Sequence, residues 1–209
     1  MTLSPEVVRK ARRHLSRRDP ALQRLIKSVG PCTLQPTGVS FVILVRSIIS
    51  QLISSKAAVT IFGRLQAALP GDQITPATIL QASEATLRGA GLSGSKARAL
   101  HDLAERVSTG ALPLEHLAEM TDDEVTARLL PVHGIGRWTT EMFLIFALGR
   151  LDVLPVDDFG LRAGVRDVYT LAQLPDRKCL RELAEPWRPY RTVATWYFWR
   201  SRGGVPQSK

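Results

Sequence analysis

The chain has 209 residues, 44% of them hydrophobic, which is enough for one substantial core or two smaller ones. Its 28 lysines and arginines outnumber 19 acidic residues, and the net charge of +9 favours a polyanionic partner such as nucleic acid, although some proteins are basic without binding one. Two cysteines, Cys32 and Cys179, argue against a disulfide framework, and no apolar run approaches the roughly 20 residues that cross a bilayer. We therefore expect a soluble, intracellular protein.

Apolar residues recur every three or four positions along most of the chain, which predicts helices. Two short helices, separated by Pro20 and ended by Gly30, come first. Later helices are predicted over 41–69 (as one helix or two), 75–87, 96–107, 121–130, 137–148, 159–171, 178–185 and 190–202. Ser93 or Ser95 is expected to cap the helix over 96–107, and Thr121 begins a capping box. No alternating run is long enough to indicate a strand, so the predicted fold class is all-α.

The segment Leu130-Pro-Val-His-Gly-Ile-Gly-Arg-Trp138 separates two of these helices. Gly134 and Gly136 allow a tight turn that presents bare amide N–H groups, and Arg137 adds a positive charge beside them. Such a turn can bind a DNA phosphate without reading the base sequence, although two glycines one residue apart are also common at ordinary helix starts. His133 has no partner at metal-ligand spacing.

An acidic pair follows this turn at a defined distance. Asp158, the second acid of Pro155-Val-Asp-Asp158, lies 22 residues after Gly136. The segment 129–165 thereby resembles the helix-hairpin-helix (HhH-GPD) superfamily of DNA glycosylases, and more closely its 3-methyladenine DNA glycosylase II (AlkA-type) branch. The resemblance extends over most of the chain through Ser50-Gln-Leu-Ile53, Gly91-Leu-Ser-x-x-Lys96 and Trp196-Tyr197.

The resemblance implies a two-lobed, all-α fold with the active site in the cleft between the lobes. A central helical bundle is expected over 40–150, including the helix-hairpin-helix over about 122–149. The second lobe is expected to combine 1–39 with 151–209. The AlkA enzyme of the family begins with an extra N-terminal β-rich domain, for which we expect this chain to have no room.

Asp158 is the catalytic residue that the resemblance implies. Cleavage of an N-glycosidic bond builds positive charge on the deoxyribose, and a fixed carboxylate can stabilise that charge and orient or deprotonate water. A place at the start of a helix would favour its negative charge. The alternative is that Asp157 and Asp158 merely cap the helix that begins near Phe159. If Asp158 is catalytic, we expect Asp157 to be the cap.

Aromatic residues are the candidates for the pocket that receives the base. The resemblance places Trp138, Trp196 and Tyr197 there, with Met142 where the AlkA enzyme carries an aromatic residue, which implies a more open pocket. Electron-rich rings attract a cationic alkylated purine, but each of these rings is equally suited to core packing. Bifunctional members carry a lysine where Trp138 stands. An indole cannot form an imine, so the resemblance implies a monofunctional enzyme.

Other residues are implied to contact DNA or a cation. Gln51 and Leu52 match the family's loop that enters the DNA, where Leu52 would fill the gap left by a flipped base; alternatively, Leu52 is a core residue. The implied DNA-binding residues are Gln51, Leu52, Lys96, Gly134, Gly136 and Arg137. Backbone carbonyls of Leu130, Val132 and Ile135 match those that hold a monovalent cation, Na+ or K+, in the family.

The implied function is a monofunctional DNA glycosylase of base excision repair that releases alkylated bases, 3-methyladenine and related cationic purines, and leaves an abasic site. The alternatives are a glycosylase for oxidised or deaminated bases and a non-catalytic module that binds damaged DNA. No organic cofactor is expected, and no iron–sulfur cluster, because Cys179 stands alone where related branches carry four cysteines. The expected partner is double-stranded DNA with damaged bases. The protein is expected to be a monomer away from membranes, in the nucleoid-containing cytoplasm of a bacterium or the nucleus of a eukaryote.

Overall fold

The computed structural model describes residues 3–205, apart from the side chain of Ser55. This part of the chain folds into twelve α-helices and contains no β-strand, so the predicted all-α fold class is confirmed. The helices are α1 (Pro5–Arg18), α2 (Pro20–Val29), α3 (Phe41–Ser50), α4 (Ser55–Ala68), α5 (Pro76–Gln81), α6 (Glu84–Gly89), α7 (Gly94–Ser108), α8 (Asp122–Leu129), α9 (Arg137–Phe146), α10 (Phe159–Tyr169), α11 (Arg177–Leu183) and α12 (Arg191–Ser201). Short 3₁₀ turns lie at Pro70–Asp72, Leu114–His116 and Glu185–Trp187.

Side-chain caps define where several helices begin. Ser93 is the cap of α7, because its hydroxyl accepts a hydrogen bond from the Lys96 amide at 3.3 Å. At the start of α8, the Thr121 hydroxyl accepts from the Glu124 amide while the Glu124 carboxylate accepts from the Thr121 amide. The predicted capping box is therefore present, and α8 and α9 flank the glycine-containing turn.

Two of the predicted helical segments are interrupted. The segment 41–69, which allows one helix or two, contains α3 and α4 with a turn between them. The prediction of one helix over 75–87 is wrong, because α5 ends at Gln81 and α6 begins at Glu84. Ser83 starts the second helix by accepting a hydrogen bond from the Thr86 amide at 3.1 Å, a local cap that outweighs the continuous apolar pattern.

The described chain divides into two compact units, a central unit of residues 38–140 and a terminal unit of 3–37 with 141–205. The sequence-based division places 141–150 in the central bundle instead. These residues pack with the terminal unit, since the Thr37 amide donates to the Phe146 carbonyl at 2.8 Å and the Leu3 amide donates to the Gly149 carbonyl at 3.1 Å.

In the central unit, α7 packs against α3, α5 and α6, and its buried face includes Leu100 and Leu103. In the terminal unit, the buried carboxylate of Asp19 accepts hydrogen bonds from the Leu22 amide and from the indole of Trp187, both at 3.0 Å. Asp19 thereby fixes the start of α2 to the 3₁₀ turn before α12. None of the helices described between residues 3 and 205 has the length and apolar character needed to cross a membrane.

Helices α10 and α12 pack closely because α10 has glycines at the contact. A Cβ at Gly164 would lie 2.7 Å from the carbonyl oxygen of Phe198. A Cβ at Gly160 would lie 3.2 Å from Cδ1 of Trp199. The two glycines are one helical turn apart, so they form a face without side chains that lets α12 bring Trp199 to the beginning of α10.

Candidate active site

Asp158 immediately precedes α10 and is its N-cap residue. Its Oδ1 accepts a hydrogen bond from the Leu161 amide at 2.6 Å and another from the indole Nε1 of Trp199 at 2.8 Å. The residue is only 6% exposed. Burial and two N–H donors hold the carboxylate in one orientation, with the positive end of the α10 dipole beside it.

The role of Trp199 could not be predicted from the sequence. It lies 41 residues from Asp158, is buried, and stacks on Phe146 with ring centroids 5.7 Å apart. Gly160 leaves room for the hydrogen bond between Trp199 and Asp158, because a Cβ at residue 160 would lie 3.1 Å from Asp158 Oδ1. A glycine inside a predicted helix indicates close approach of another group, but it does not identify that group.

Asp157 does not cap α10, and the expectation that it would is wrong. Because α10 begins at Phe159, the N-cap position belongs to Asp158, and Asp157 lies one residue too early. Asp157 Oδ1 instead accepts a hydrogen bond from Arg177 Nε at 2.5 Å in an exposed ion pair. Asp158 is therefore both the N-cap residue of α10 and the candidate catalytic residue.

Backbone hydrogen bonds fix the turn between α8 and α9. The Ile135 amide donates to the Val132 carbonyl at 3.0 Å. The His133 amide donates to Oδ2 of Asp102, on α7, at 2.6 Å. The same carboxylate accepts a hydrogen bond from Arg106 Nε at 2.9 Å. Asp102 therefore links the turn to α7 while it forms an ion pair with Arg106.

The two glycines of this turn have different structural requirements. Gly134 has φ +77°, and a Cβ there would lie 3.2 Å from Cβ of Ala99, so both backbone and space require glycine. Nothing lies within 4 Å of a Cβ placed on Gly136. Both glycines are exposed, and neither amide N–H donates a hydrogen bond to another residue of the described chain. Arg137, the first residue of α9, is exposed beside them.

Leu52 lies in the turn between α3 and α4, and its side chain is 104% exposed. This exposure excludes the core alternative for Leu52. Its backbone has φ +59°, an uncommon conformation for a residue with a branched side chain. A fully exposed leucine in such a conformation has to be held there by neighbouring groups.

Lys96 and Gln51 are the groups that hold this exposed turn. The Lys96 ammonium donates to the carbonyls of Ile49 at 2.7 Å and Gln51 at 2.9 Å, and burial lowers the pKa of Lys96 from its ordinary value. The Gln51 Nε2 donates to the Gly134 carbonyl at 3.0 Å and to the Thr139 hydroxyl at 3.1 Å. The Lys96 ammonium and the Gln51 side-chain nitrogen are thus engaged within the central unit, and Gln51 connects the exposed turn to the glycine-containing turn.

The four candidate pocket residues differ in accessibility. Trp138 is half-buried in the first turn of α9, whereas Met142 is fully buried. Trp196 and Tyr197 are buried in α12, with ring centroids 5.0 Å apart in an edge-on arrangement. The Tyr197 hydroxyl donates to the Gly30 carbonyl at 2.9 Å, and burial raises the pKa of Tyr197 to about 12. These positions favour core packing for Trp196 and Tyr197.

Both cysteines are free thiols, and burial raises the pKa of Cys32 to about 11, which keeps that thiol protonated at neutral pH. Within residues 3–205, no group of three or more histidine, cysteine, aspartate or glutamate side chains could hold a metal ion.

Comparison with known proteins agrees with these features. A family described as "HhH-GPD superfamily base excision DNA repair protein" matches residues 45–189. DNA-3-methyladenine glycosylase 1 of Schizosaccharomyces pombe is 36% identical over 197 residues, which are 92% of this chain and 86% of that protein. The alkylbase DNA glycosidase-like protein mag2 of the same yeast is 34% identical, and the match covers 92% of each chain.

A solved structure shows the same similarity. The S. pombe 3-methyladenine DNA glycosylase in complex with abasic DNA matches with a TM-score of 0.84 and 35% identity, over 96% of this chain and 100% of that one. The resemblance to 3-methyladenine DNA glycosylases is therefore confirmed. Because the family match covers more than half of its length, this chain belongs to the HhH-GPD superfamily of base excision DNA repair proteins.

Proposed function

We propose that this protein is a monofunctional DNA glycosylase of base excision repair, which flips alkylated bases out of duplex DNA and hydrolyses their N-glycosidic bonds. The observation that carries the proposal is the buried Asp158 carboxylate, fixed by the Leu161 amide and the Trp199 indole at the start of a helix. Relatives that share a third of the sequence over nearly its whole length are named 3-methyladenine glycosylase and alkylbase glycosidase-like protein.

Asp158 acts on the sugar. As the bond between base and deoxyribose breaks, positive charge develops on the sugar ring, and the adjacent carboxylate stabilises it. Water then adds to the sugar carbon and gives up a proton, which the carboxylate can accept. Because its two N–H donors already hold the carboxylate, little reorganisation is needed during the reaction. A cationic alkylated purine leaves as a neutral base, so no strong general acid is required.

The turn between α8 and α9 holds the DNA backbone. The exposed amides of Gly134 and Gly136, at the N-terminus of α9, donate to a phosphate, and Arg137 adds a positive charge. Contacts of this kind position the duplex without reading its sequence.

Leu52 fills the space that the extruded base leaves in the stack. Lys96 and Gln51, expected from the sequence to contact DNA, are proposed to act as positioning residues for Leu52, because their side chains donate to backbone carbonyls and a hydroxyl of the central unit. Gln51 joins this turn to Gly134, so backbone binding and base extrusion depend on one connected piece of structure.

The pocket for the extruded base is proposed to include Trp138, which is half-buried and has ring surface for stacking. Met142, Trp196 and Tyr197, the other residues that the resemblance implies for the pocket, are buried and offer little surface for stacking. Trp138 occupies the position of the imine-forming lysine of bifunctional members and cannot form an imine, so the enzyme leaves an intact abasic site.

Backbone carbonyls of Leu130, Val132 and Ile135 are the proposed ligands of a monovalent cation, Na+ or K+. The Val132 carbonyl accepts the Ile135 amide, and a carbonyl oxygen has a second lone pair for a cation. Three neutral oxygens suit a singly charged hard ion, which would add positive charge beside the phosphate. The proposed partner is double-stranded DNA bound by a monomer, in the nucleoid of a bacterium or the nucleus of a eukaryote.

Release of free bases from methylated duplex DNA tests the proposal. Asp158→Asn should lower the rate of release by about 100- to 1,000-fold, the range found when one preorganised electrostatic group is removed. Binding to abasic-site DNA should stay close to that of the wild type, because the Asn side-chain oxygen can accept the same two hydrogen bonds. Asp157→Asn is the matched control. It loses only an exposed ion pair with Arg177, worth about 0–1 kcal/mol, and should keep its activity.

Equal release by the wild type and Asp158→Asn would show that this carboxylate is not catalytic. Release from oxidised or deaminated DNA, with none from methylated DNA, would identify a glycosylase of different specificity. Selective binding to damaged DNA without release of any base would identify a binding module.

A further inference from the structure

A basic groove of about 600 Å³ runs along α1 in the terminal unit. Its lining consists of four arginines, one serine and one apolar residue of α2, namely Arg9, Arg12, Arg13, Ser16, Arg17 and Ile26. The five α1 residues recur at three- and four-residue intervals, so they share one face of the helix. No acidic side chain lines the groove.

Three of the four arginines in this groove make no close side-chain contact with an acidic or hydrogen-bonding group of the described chain. Within residues 3–205, the side chains of Arg9, Arg13 and Arg17 form no hydrogen bond or close ion pair, although the charge of Arg9 helps to lower the pKa of Glu6. The Arg12 guanidinium lies beside the Tyr197 hydroxyl, but its buried Nε has no acceptor. Glu6, the acidic residue of α1, is paired with Lys10 at 2.9 Å. Like charges one helical turn apart destabilise a helix, so repulsion among Arg9, Arg13 and Arg17 costs stability in the free protein. A bound anion would offset this repulsion.

The spacing of the arginines suits an extended polyanion better than a single phosphate. From Arg9 to Arg17 is eight residues, which at 1.5 Å per residue is about 12 Å along the helix. A free phosphate could reach only one or two of these guanidinium groups, whereas successive phosphates of a nucleic acid strand can engage the whole row. Guanidinium groups also match phosphate oxygens with paired hydrogen bonds.

We propose that this groove, the arginine groove of α1, binds the phosphate backbone of duplex DNA as a second contact besides the glycine-containing turn. The inference rests on the proposed DNA substrate and adds a surface to it. The groove takes no part in bond cleavage. It increases affinity for any duplex, damaged or undamaged, through phosphate contacts that do not read the base sequence.

The salt dependence of binding to undamaged duplex DNA of about 30 base pairs tests this surface, because each phosphate that the protein neutralises contributes about −0.9 to the slope of log affinity against log salt concentration. The test variant is Arg9→Gln/Arg13→Gln/Arg17→Gln. The matched control removes three exposed positive charges that do not line the groove, Arg24→Gln/Lys27→Gln/Arg181→Gln. Both variants lower the net charge by the same amount.

The groove variant should show a slope shallower by about two to three and an affinity about 10- to 100-fold lower at physiological salt. The control should change the slope by less than about one. The melting temperature of the groove variant should be unchanged or higher, because repulsion along α1 is relieved. If the triple variant fails to fold, Arg13→Gln alone should make the slope shallower by about one.

Equal slopes for the groove variant and the wild type would overturn the proposal, as would an equal change of slope in the control. Reduced binding to polyglutamate with an unchanged DNA slope would overturn it in favour of an acidic protein partner. Base release at saturating enzyme should be the same for the wild type and the groove variant. If the wild type released no base, the proposed function would fail while the DNA slope still decided the role of the groove.

Discussion

Replacement of Gly136 by alanine separates a DNA contact from a folding requirement. The position has no left-handed φ, and nothing lies within 4 Å of an added Cβ, so the protein itself accepts the methyl group. Gly136 directly precedes α9 and so stands at its N-cap position. Alanine is a poorer N-cap than glycine, but it also reduces the entropy of the unfolded chain, and each effect is worth about 0.5–1 kcal/mol. The free energy of unfolding of Gly136→Ala should therefore lie within about 1 kcal/mol of the wild-type value.

The same methyl group would stand where the proposed phosphate approaches the turn. A hydrogen bond from an amide to a charged phosphate contributes about 1.5–3 kcal/mol, so its removal should weaken DNA binding about 10- to 100-fold. The effect should be the same for duplexes of different sequence, because phosphate contacts do not read bases. At saturating enzyme, the rate of base release should change little.

Gly134→Ala and Gly63→Ala are the matched controls. Gly134 has φ +77° and lies against Ala99, so alanine there should cost roughly 1–2 kcal/mol of stability and lower the melting temperature by several degrees. Gly63 is a helical glycine of α4 with open space around it, so Gly63→Ala should leave DNA binding unchanged. Fluorescence anisotropy on two unrelated duplexes and thermal melting provide the measurements. A stable Gly136→Ala protein that binds DNA as tightly as the wild type would refute the phosphate contact.

Two further substitutions and a trapping experiment test other parts of the site. Leu52→Ala should leave the melting temperature nearly unchanged, because the side chain is fully exposed, but it should slow base excision from duplex DNA; a large drop in melting temperature would contradict this reasoning. Borohydride should trap no covalent complex with damaged DNA, because Trp138 offers no amine, and a trapped adduct would show that another amine forms an imine. Trp199→Phe keeps an aromatic ring against Phe146 but removes the N–H donor to Asp158, so base release should fall about 10- to 100-fold while abasic-DNA binding is retained; unchanged release would assign Trp199 to packing alone.

Local signals in the sequence are sufficient for most of the helices and for the glycine-containing turn. Thr121 and Glu124 specify a helix start through atoms only three residues apart, and Gly134 adopts the positive φ that favours glycine. The break at Ser83 escapes prediction although its signal is local, because the apolar pattern continues across it.

Features that depend on distant parts of the chain could not be predicted. The hydrogen bond between Trp199 and Asp158 requires α10 and α12 to pack at their glycine contact, and no sequence spacing reports that contact. The choice between Asp157 and Asp158 as the cap depends on a helix boundary known to one residue, which is finer than periodicity resolves. The sequence around Leu52 is the same whether this leucine is buried in the core or exposed in a turn, and only its position in the folded chain distinguishes the two possibilities.

The exposed turn at Leu52 is costly in the free protein and is nevertheless held firmly. Leaving a leucine in water forgoes about 1.5–3 kcal/mol of burial, and a left-handed backbone adds roughly 1–2 kcal/mol. Lys96 and Gln51 offset part of this cost with four hydrogen bonds. One of them ends on the Gly134 carbonyl, while the Gly134 amide is free to donate to DNA. A phosphate bound at that amide and a leucine placed in the base stack would thus act through the same residue, and the cost of exposing the Leu52 side chain would be recovered when DNA supplies an apolar surface for it.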